Sequence, residues 1–92
     1  MKKIFDMYDG EPERVKMVFN NSLANPVMDR FGKDVVMRKV DKESFEISVE
    51  VAVSPTFISW VIGFGQLATV VSPAWVIDEV CKLAHAVIDQ YE

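Results

Sequence analysis

The sequence predicts an α+β fold in which two helices cover one face of a four-stranded antiparallel sheet. Three observations carry this prediction: segments in which apolar residues alternate, segments in which they recur every three or four positions, and a Ser-Pro pair after two of the predicted strands. The 92 residues, 50% hydrophobic and 26% charged, have the composition of one globular domain. The element order is β-α-β-β-α-β followed by one appended helix, which is the order of the ferredoxin-like fold.

The first predicted strand and helix lie between residues 14 and 32. Apolar residues occupy one side of the strand over 14–19: Val15, Met17 and Phe19. Apolar residues then recur every four positions in a short helix: Leu23, Val27 and Phe31. We expect this helix to end at Gly32, a residue suited to a positive φ. It begins either at Pro26 with Asn25 as its N-cap, or near Ser22.

Two strands joined by a polar turn are predicted next. The second strand covers 35–40 and has no clear sidedness, and residues 41–44 form the turn. The third strand covers 45–53 and alternates without a break. Its apolar face consists of Phe45, Ile47, Val49, Val51 and Val53, and its polar face of Glu46, Ser48 and Glu50. Because a slip of one residue would bury two carboxylates, the register is well specified.

The second half repeats one helix-start signal. In Ser54-Pro55 and again in Ser72-Pro73, we expect the serine to be the N-cap and the proline the first helical residue. The helix after Ser54 buries Phe57, Trp60, Val61 and Phe64 and closes at Gly65. A fourth strand covers 67–71. The last helix has an apolar stripe of Val76, Val80, Leu83, Val87 and Tyr91, opposite Asp78, Lys82, His85 and Asp89.

Composition also indicates the compartment and excludes some partners. Residues 1–12 are predicted to be a linker or an N-terminal arm, and residues 13–92 the folded domain. A net charge of -4 argues against autonomous binding to duplex DNA or to anionic lipid. The single cysteine excludes an internal disulfide and a multi-thiolate metal site, and it fits the cytoplasm. The sequence has no signal-peptide core and no apolar run long enough to span a bilayer.

Few residues are candidates for catalysis or for binding a metal or phosphate. Cys81 and His85 are four residues apart on the last helix, but no third group orients them, so we expect a solvated pair and no catalytic site. His85 is expected to form a weak surface ion pair with Asp89 and not to bind a metal. The glycines of Gly63-Phe64-Gly65 follow a helix, whereas phosphate-binding glycines precede one. We therefore expect neither an enzyme nor a cofactor.

The sheet face opposite the helices is the candidate interaction surface. We expect it to carry side chains from all four strands: Lys16, Val18, Arg38, Glu46, Ser48, Glu50, Ala68 and Val70. A solvated face and a docking face are about equally compatible with these residues. Trp60 and Trp75 are expected to anchor the core or an interface, since no basic groove adjoins them for stacking on nucleic-acid bases.

One stretch resembles a known family. Trp60-Val61-Ile62-Gly63-Phe64-Gly65 followed by Ala68–Pro73 is similar to the signature of the C-terminal extension (WCX) domain in WYL-domain transcriptional regulators. The signature positions are Trp60, Phe64, Gly65 and Pro73. The resemblance covers residues 13–92. Phe31-Gly32-Lys33-Asp34 departs from the family, where many members carry a Trp-His-Pro-Ser-Gln-like segment, so no role of that segment is carried over.

The resemblance implies a bacterial regulator with a DNA-binding winged helix and an effector-sensing WYL domain. It implies that this chain is an excised, ferredoxin-like part of such a regulator, that it forms a homodimer, and that it shares in the response to the effector. The alternative is a stand-alone ferredoxin-like sensor of a small molecule. A small enzyme on the same fold is a third hypothesis, disfavoured because no acid-base pair flanks a cleft.

Overall fold

The computed structural model describes residues 11–92. The predicted arm therefore lies outside the described residues except for its last two, which begin the first strand. The elements in chain order are β1 (Glu11–Asn20), α1 (Ala24–Phe31), β2 (Arg38–Lys39), β3 (Ser44–Val53), α2 (Pro55–Ile62), β4 (Ala68–Ser72) and α3 (Ala74–Gln90). Short 3-10 turns at Asn21–Leu23 and Gly65–Leu67 precede α1 and β4.

The four strands form one antiparallel sheet in the order β2-β3-β1-β4. The β1–β3 ladder is the longest and runs without a bulge from Glu11 opposite Val53 to Asn20 opposite Ser44. This register places Val15 opposite Val49 and Val18 opposite Glu46, so the sidedness predicted for β3 is correct. The element order and the antiparallel sheet confirm the predicted α+β, ferredoxin-like class.

The hydrophobic core lies between one sheet face and all three helices. Its fully enclosed side chains come from β1, β3 and each helix: Val15, Met17, Phe19, Val27, Ile47, Phe57 and Val76. The appended helix α3 contacts both β4 and α2, and therefore extends the helical layer on the covered face. Burial of this kind contributes about 25 cal/mol for each Å² of apolar surface.

Helix boundaries follow local capping where a cap forms. The Ser54 hydroxyl accepts a hydrogen bond from the Phe57 backbone N–H at 3.2 Å, and Pro55 opens α2, as predicted. The same prediction for Ser72 is wrong. Pro73 is the N-cap of α3, no side chain caps that helix, and the Pro73 carbonyl accepts from the Val76 N–H at 3.1 Å. Ser72 is instead the last residue of β4, where it lies opposite Lys16.

Of the other helix ends, the start of α1 and the end of α2 differ from expectation, whereas Gly32 ends α1 as predicted. Helix α1 is preceded by a 3-10 turn in which the Asn20 side chain accepts from the Ser22 N–H at 2.9 Å. The later start at Pro26 is therefore wrong, because the chain is already helical from Asn21, first as a 3-10 turn and then as α1 from Ala24. Gly32 ends α1 with a φ of 99°, a conformation that favours glycine. Helix α2 ends at Ile62 and not at Gly65, whose φ of 60° opens the following 3-10 turn.

The second strand is much shorter than predicted. Only Arg38 and Lys39 pair with β3, although 35–40 is rich in valine. Val36 and Val40 are exposed, whereas Val35 and Met37 pack against the core. The polar turn is confirmed: Asp41 Oδ1 accepts from the Glu43 N–H and the Ser44 hydroxyl, each at 2.8 Å. These hydrogen bonds to the carboxylate lower the pKa of Asp41.

Strand β4 faces the opposite way from expectation. Ala68 and Val70, predicted on the face away from the helices, are buried in the core. The cause is the register with β1, which sets Val70 opposite Met17 and Ala68 opposite Phe19. The alternation in the sequence was ambiguous because the two sides of this strand are almost equally apolar. A bulge between Lys16 and Met17 then shifts the pairing near the end of β4.

Helix α3 is buried along only part of its predicted stripe. Val76 is fully enclosed, and Val80 and Leu83 pack partly against the core. Val87 and Tyr91 are 45% and 81% exposed, so only the first part of the predicted apolar stripe is buried. Every residue from His85 to the end of α3 is exposed. None of the helices in residues 11–92 is long and apolar enough to cross a membrane.

Candidate interaction surface

Within residues 11–92, no helix or loop covers the sheet face away from the helices, and we call it the open face. Its side chains alternate with those of the core along each strand. It consists of Arg14, Lys16, Val18, Arg38, Glu46, Ser48, Glu50 and Thr69. Six of the eight residues predicted for this surface lie there. Ala68 and Val70 do not, because they lie in the core, and Arg14 and Thr69 were missed.

Glu46 is the electrostatic centre of the open face. Its Oε1 lies 3.2 Å from Arg38 Nη1, and its Oε2 lies 4.0 Å from Lys16 Nζ. The Glu46 side chain is 19% exposed, whereas that of Arg38 is 74% exposed. Exposed pairs of this kind contribute about 0–1 kcal/mol to stability. Their effect is to set a fixed pattern of charge that a docking surface has to match.

Arg14 extends this pattern along the strands. Its Nη1 donates to the backbone carbonyl of Ser48 at 3.1 Å, across the β1–β3 ladder. Arg14 therefore lies over β3 beside Glu50, its partner in the register. The open face alternates positive and negative groups along its strands, and it resembles the polar rim of a protein interface more than a catalytic cleft.

The apolar part of the open face lies towards β4. Val18 is half-buried between Glu46 on β3 and Thr69 on β4. Val18, Thr69 and Leu67 line a shallow depression of about 190 Å³ together with polar residues of the β2–β3 turn. Leu67 and Val71 are each 45% exposed. The apolar part of this face therefore lies at the β4 edge. The sequence had predicted it elsewhere, because Ala68 and Val70 were assigned to this face.

A second surface feature, on the helical side, was not predicted. A groove of about 440 Å³ runs between α3 and the start of α2, and its lining is mainly apolar: Val53, Ser54, Pro55, Ile58, Trp75, Glu79, Lys82, Leu83 and Ala86. Trp75 Nε1 donates to Glu13 Oε1 at 2.8 Å and so fixes the first turn of α3 to β1. The sequence contains a signal for this groove. Trp75, Glu79, Lys82 and Ala86 recur at helical spacing and therefore share one side of α3.

Comparison with known protein families identifies the family of this chain. The WCX domain family matches residues 11–88, which include every strand and nearly all of α3. The chain belongs to the WCX domain family. No curated protein and no solved structure matches the chain significantly.

The WCX signature residues lie in one aromatic cluster and at the ends of helices and strands. Trp60 contacts four phenylalanine rings, with ring centroids 4.9 Å away for Phe64 and 5.6 Å for Phe31. The guanidinium carbon of Arg30 lies 5.4 Å from the Trp60 ring centroid. Gly65 provides the positive φ before β4, and Pro73 is the N-cap of α3. The signature of this WCX domain therefore joins α1, α2, β4 and α3.

The candidate catalytic and metal-binding side chains of α3 do not form a site. Cys81 and His85 are both exposed. In the described part of the chain, Lys82 pairs with Glu79 at 3.4 Å, and His85 forms no ion pair with Asp89. The expected His85–Asp89 pair is thus wrong. Within residues 11–92, His, Cys, Asp and Glu side chains form no group of three that would hold a metal ion.

Proposed function

We propose that this WCX domain is the non-catalytic regulatory and oligomerisation domain at the C-terminal end of a bacterial, cytoplasmic WYL-type transcriptional regulator. The observation that carries the proposal is the family match over residues 11–88. In this role the domain does not contact duplex DNA. It transmits the effector response between the WYL domain and a second copy of the regulator.

The open face supports this role. Its fixed charges, with Glu46 between Arg38 and Lys16, provide a pattern that orients a partner, and Val18 and Thr69 provide an apolar contact beside it. Interfaces between domains of one protein are commonly of this mixed polar kind. We propose that the WYL domain of the regulator docks on the open face.

Gene context tests the assignment to a regulator. Translation of the DNA upstream of the first codon, or of the adjacent gene, is expected to yield a winged helix and a WYL domain. A neighbouring enzyme or transporter in place of them would contradict the assignment.

Titration calorimetry tests the docking face with that WYL domain and the 92-residue chain. Val18→Lys places an ammonium opposite Glu46, its partner in the register, so the fold is retained while the apolar contact is lost. The expected result is affinity lowered about tenfold or more. The matched control is Val87→Lys, since Val87 is 45% exposed and lies on α3, in the helical layer on the other side of the sheet. Equal affinity of both variants for the WYL domain would contradict docking there.

The groove favours a second function, the sensing of a small molecule. Its volume of about 440 Å³ lies within the range of ligand pockets, about 300–1,000 Å³. Thermal-shift screening of amino acids, nucleotides and other metabolites is the test. A ligand of the groove raises the melting temperature of the wild-type chain but not that of Ala86→Trp, in which the indole fills the groove. A shift retained in Ala86→Trp contradicts binding in the groove.

A further inference from the structure

The two edges of the sheet are built differently. The β2 edge has only two paired residues, Arg38 and Lys39, and both are charged and exposed. Short length and basic side chains are the usual means by which an edge strand is kept from pairing with another chain. We therefore expect the β2 edge to stay unpaired.

The β4 edge has few of these protective features. Its sequence, Ala68–Ser72, has no charged residue and no proline, and it is rich in β-branched residues. Within residues 11–92, β4 pairs with β1 alone, so its outer edge lacks a strand partner. The one protective feature is the bulge near Ser72, and the pairing from Ala68 to Val70 is regular. Such an edge is a template for an added strand.

The residues of this edge match a second copy of themselves. In an antiparallel pair centred on Thr69, that residue lies opposite Thr69 of the partner and Ala68 lies opposite the partner's Val70, while Leu67, the last residue of the 3-10 turn, lies near the partner's Val71. Thr–Thr pairs and apolar pairs stabilise antiparallel strands, whereas like charges placed opposite each other destabilise them. The pairing covers two apolar side chains that are each 45% exposed in one copy. The same pairing at the β2 edge would set Arg38 and Lys39 against their own copies.

We infer that two copies of this chain associate through β4, edge to edge, about a two-fold axis at Thr69. The two sheets then form one continuous eight-stranded antiparallel sheet. Because the axis is perpendicular to the sheet, both open faces lie on one side and both helical layers on the other. This inference specifies the oligomerisation in the proposed function and rests on it for its biological role, but the contact itself belongs to the isolated chain.

Sedimentation velocity of the 92-residue chain, from about 1 to about 200 μM, tests the contact, since a small interface of this kind associates weakly. The wild type is expected to shift from monomer to dimer. Thr69→Lys sets two ammonium groups against each other at the axis, and Thr69→Glu does the same with carboxylates. Each variant alone is expected to associate at least about tenfold more weakly. The control is Thr56→Lys, the same change at the chain's other threonine, exposed on α2.

Mixing the two variants separates this contact from any other surface. The introduced ammonium and the introduced carboxylate are brought together only if position 69 lies opposite position 69 of the partner. An equimolar mixture of Thr69→Lys and Thr69→Glu is therefore expected to recover the dimer. A wild type that stays monomeric, variants that dimerise like the wild type, or a mixture that recovers no dimer overturns the inference.

Hydrogen exchange of the wild type gives an independent check. Protection of the β4 amides is expected to rise with chain concentration, because the added strand accepts hydrogen bonds from the outer edge. Protection that does not rise also overturns the inference. Neither sedimentation nor hydrogen exchange involves a WYL domain, so failure here is distinct from failure of the proposed function.

Discussion

At the scale of single residues, the two Ser-Pro pairs show how one sequence signal leads to two local structures. Ser54 caps α2 through its hydroxyl, whereas Ser72 ends β4 and caps nothing. Ser54→Ala is expected to lower the free energy of unfolding by about 1 kcal/mol, because the Phe57 N–H loses its acceptor. Ser72→Ala is expected to cost less than half as much. Urea denaturation of both variants measures the difference, and equal losses would contradict the capping assignment.

The two tryptophans form a second matched pair. Trp60 packs among Phe19, Phe31, Phe57 and Phe64, so Trp60→Ala is expected to cost about 3 kcal/mol or more. Trp75 is 38% exposed, and its indole N–H donates to Glu13. Trp75→Ala is therefore expected to cost only about 1 kcal/mol. The measurement is thermal unfolding, and a shift of a degree or two for Trp60→Ala would show that the aromatic cluster contributes little.

At the scale of elements, α3 is divided into a packed first half and an exposed second half. Val76 is fully buried and Val87 is 45% exposed, although both belong to one apolar stripe. Val76→Ala is expected to lower the free energy of unfolding by about 2 kcal/mol, because it leaves a cavity. Val87→Ala, the same change at an open position, is expected to stay within about 0.5 kcal/mol of the wild type. Equal destabilisation, measured by urea denaturation at low chain concentration, would show that the end of α3 is packed.

At the scale of the whole molecule, the net charge determines whether the chain binds duplex DNA. The net charge is -4, and two basic groups of the open face, Lys16 and Arg38, are both engaged by Glu46. The isolated chain is therefore expected not to bind duplex DNA specifically, since such binding depends on free Lys and Arg groups that release counterions from phosphates. Filter binding at about 100 mM salt is the measurement, and sub-micromolar, sequence-dependent affinity would contradict the prediction.

The element order, the apolar face of β3 and the Ser54 cap could all be predicted before the fold was known. Each depends on neighbours along the chain: Phe45 to Val53 alternate strictly, and Ser54 and Phe57 are three residues apart. Most of the open face follows from the same alternation, including Lys16, Val18, Glu46, Ser48 and Glu50. The family signature around Trp60 was also visible in the sequence.

Tertiary packing was needed to determine which side of β4 is buried and where the packing of α3 ends. In β4, Ala68 and Val70 alternate with Thr69 and Val71, two sets of similar hydrophobicity, so pairing with β1 had to choose between them. In α3, the apolar stripe is uniform along the helix, but the sheet beneath it is finite. Local patterns specify which face of an element is apolar, whereas burial depends on whether a partner surface, fixed by distant parts of the chain, reaches that face.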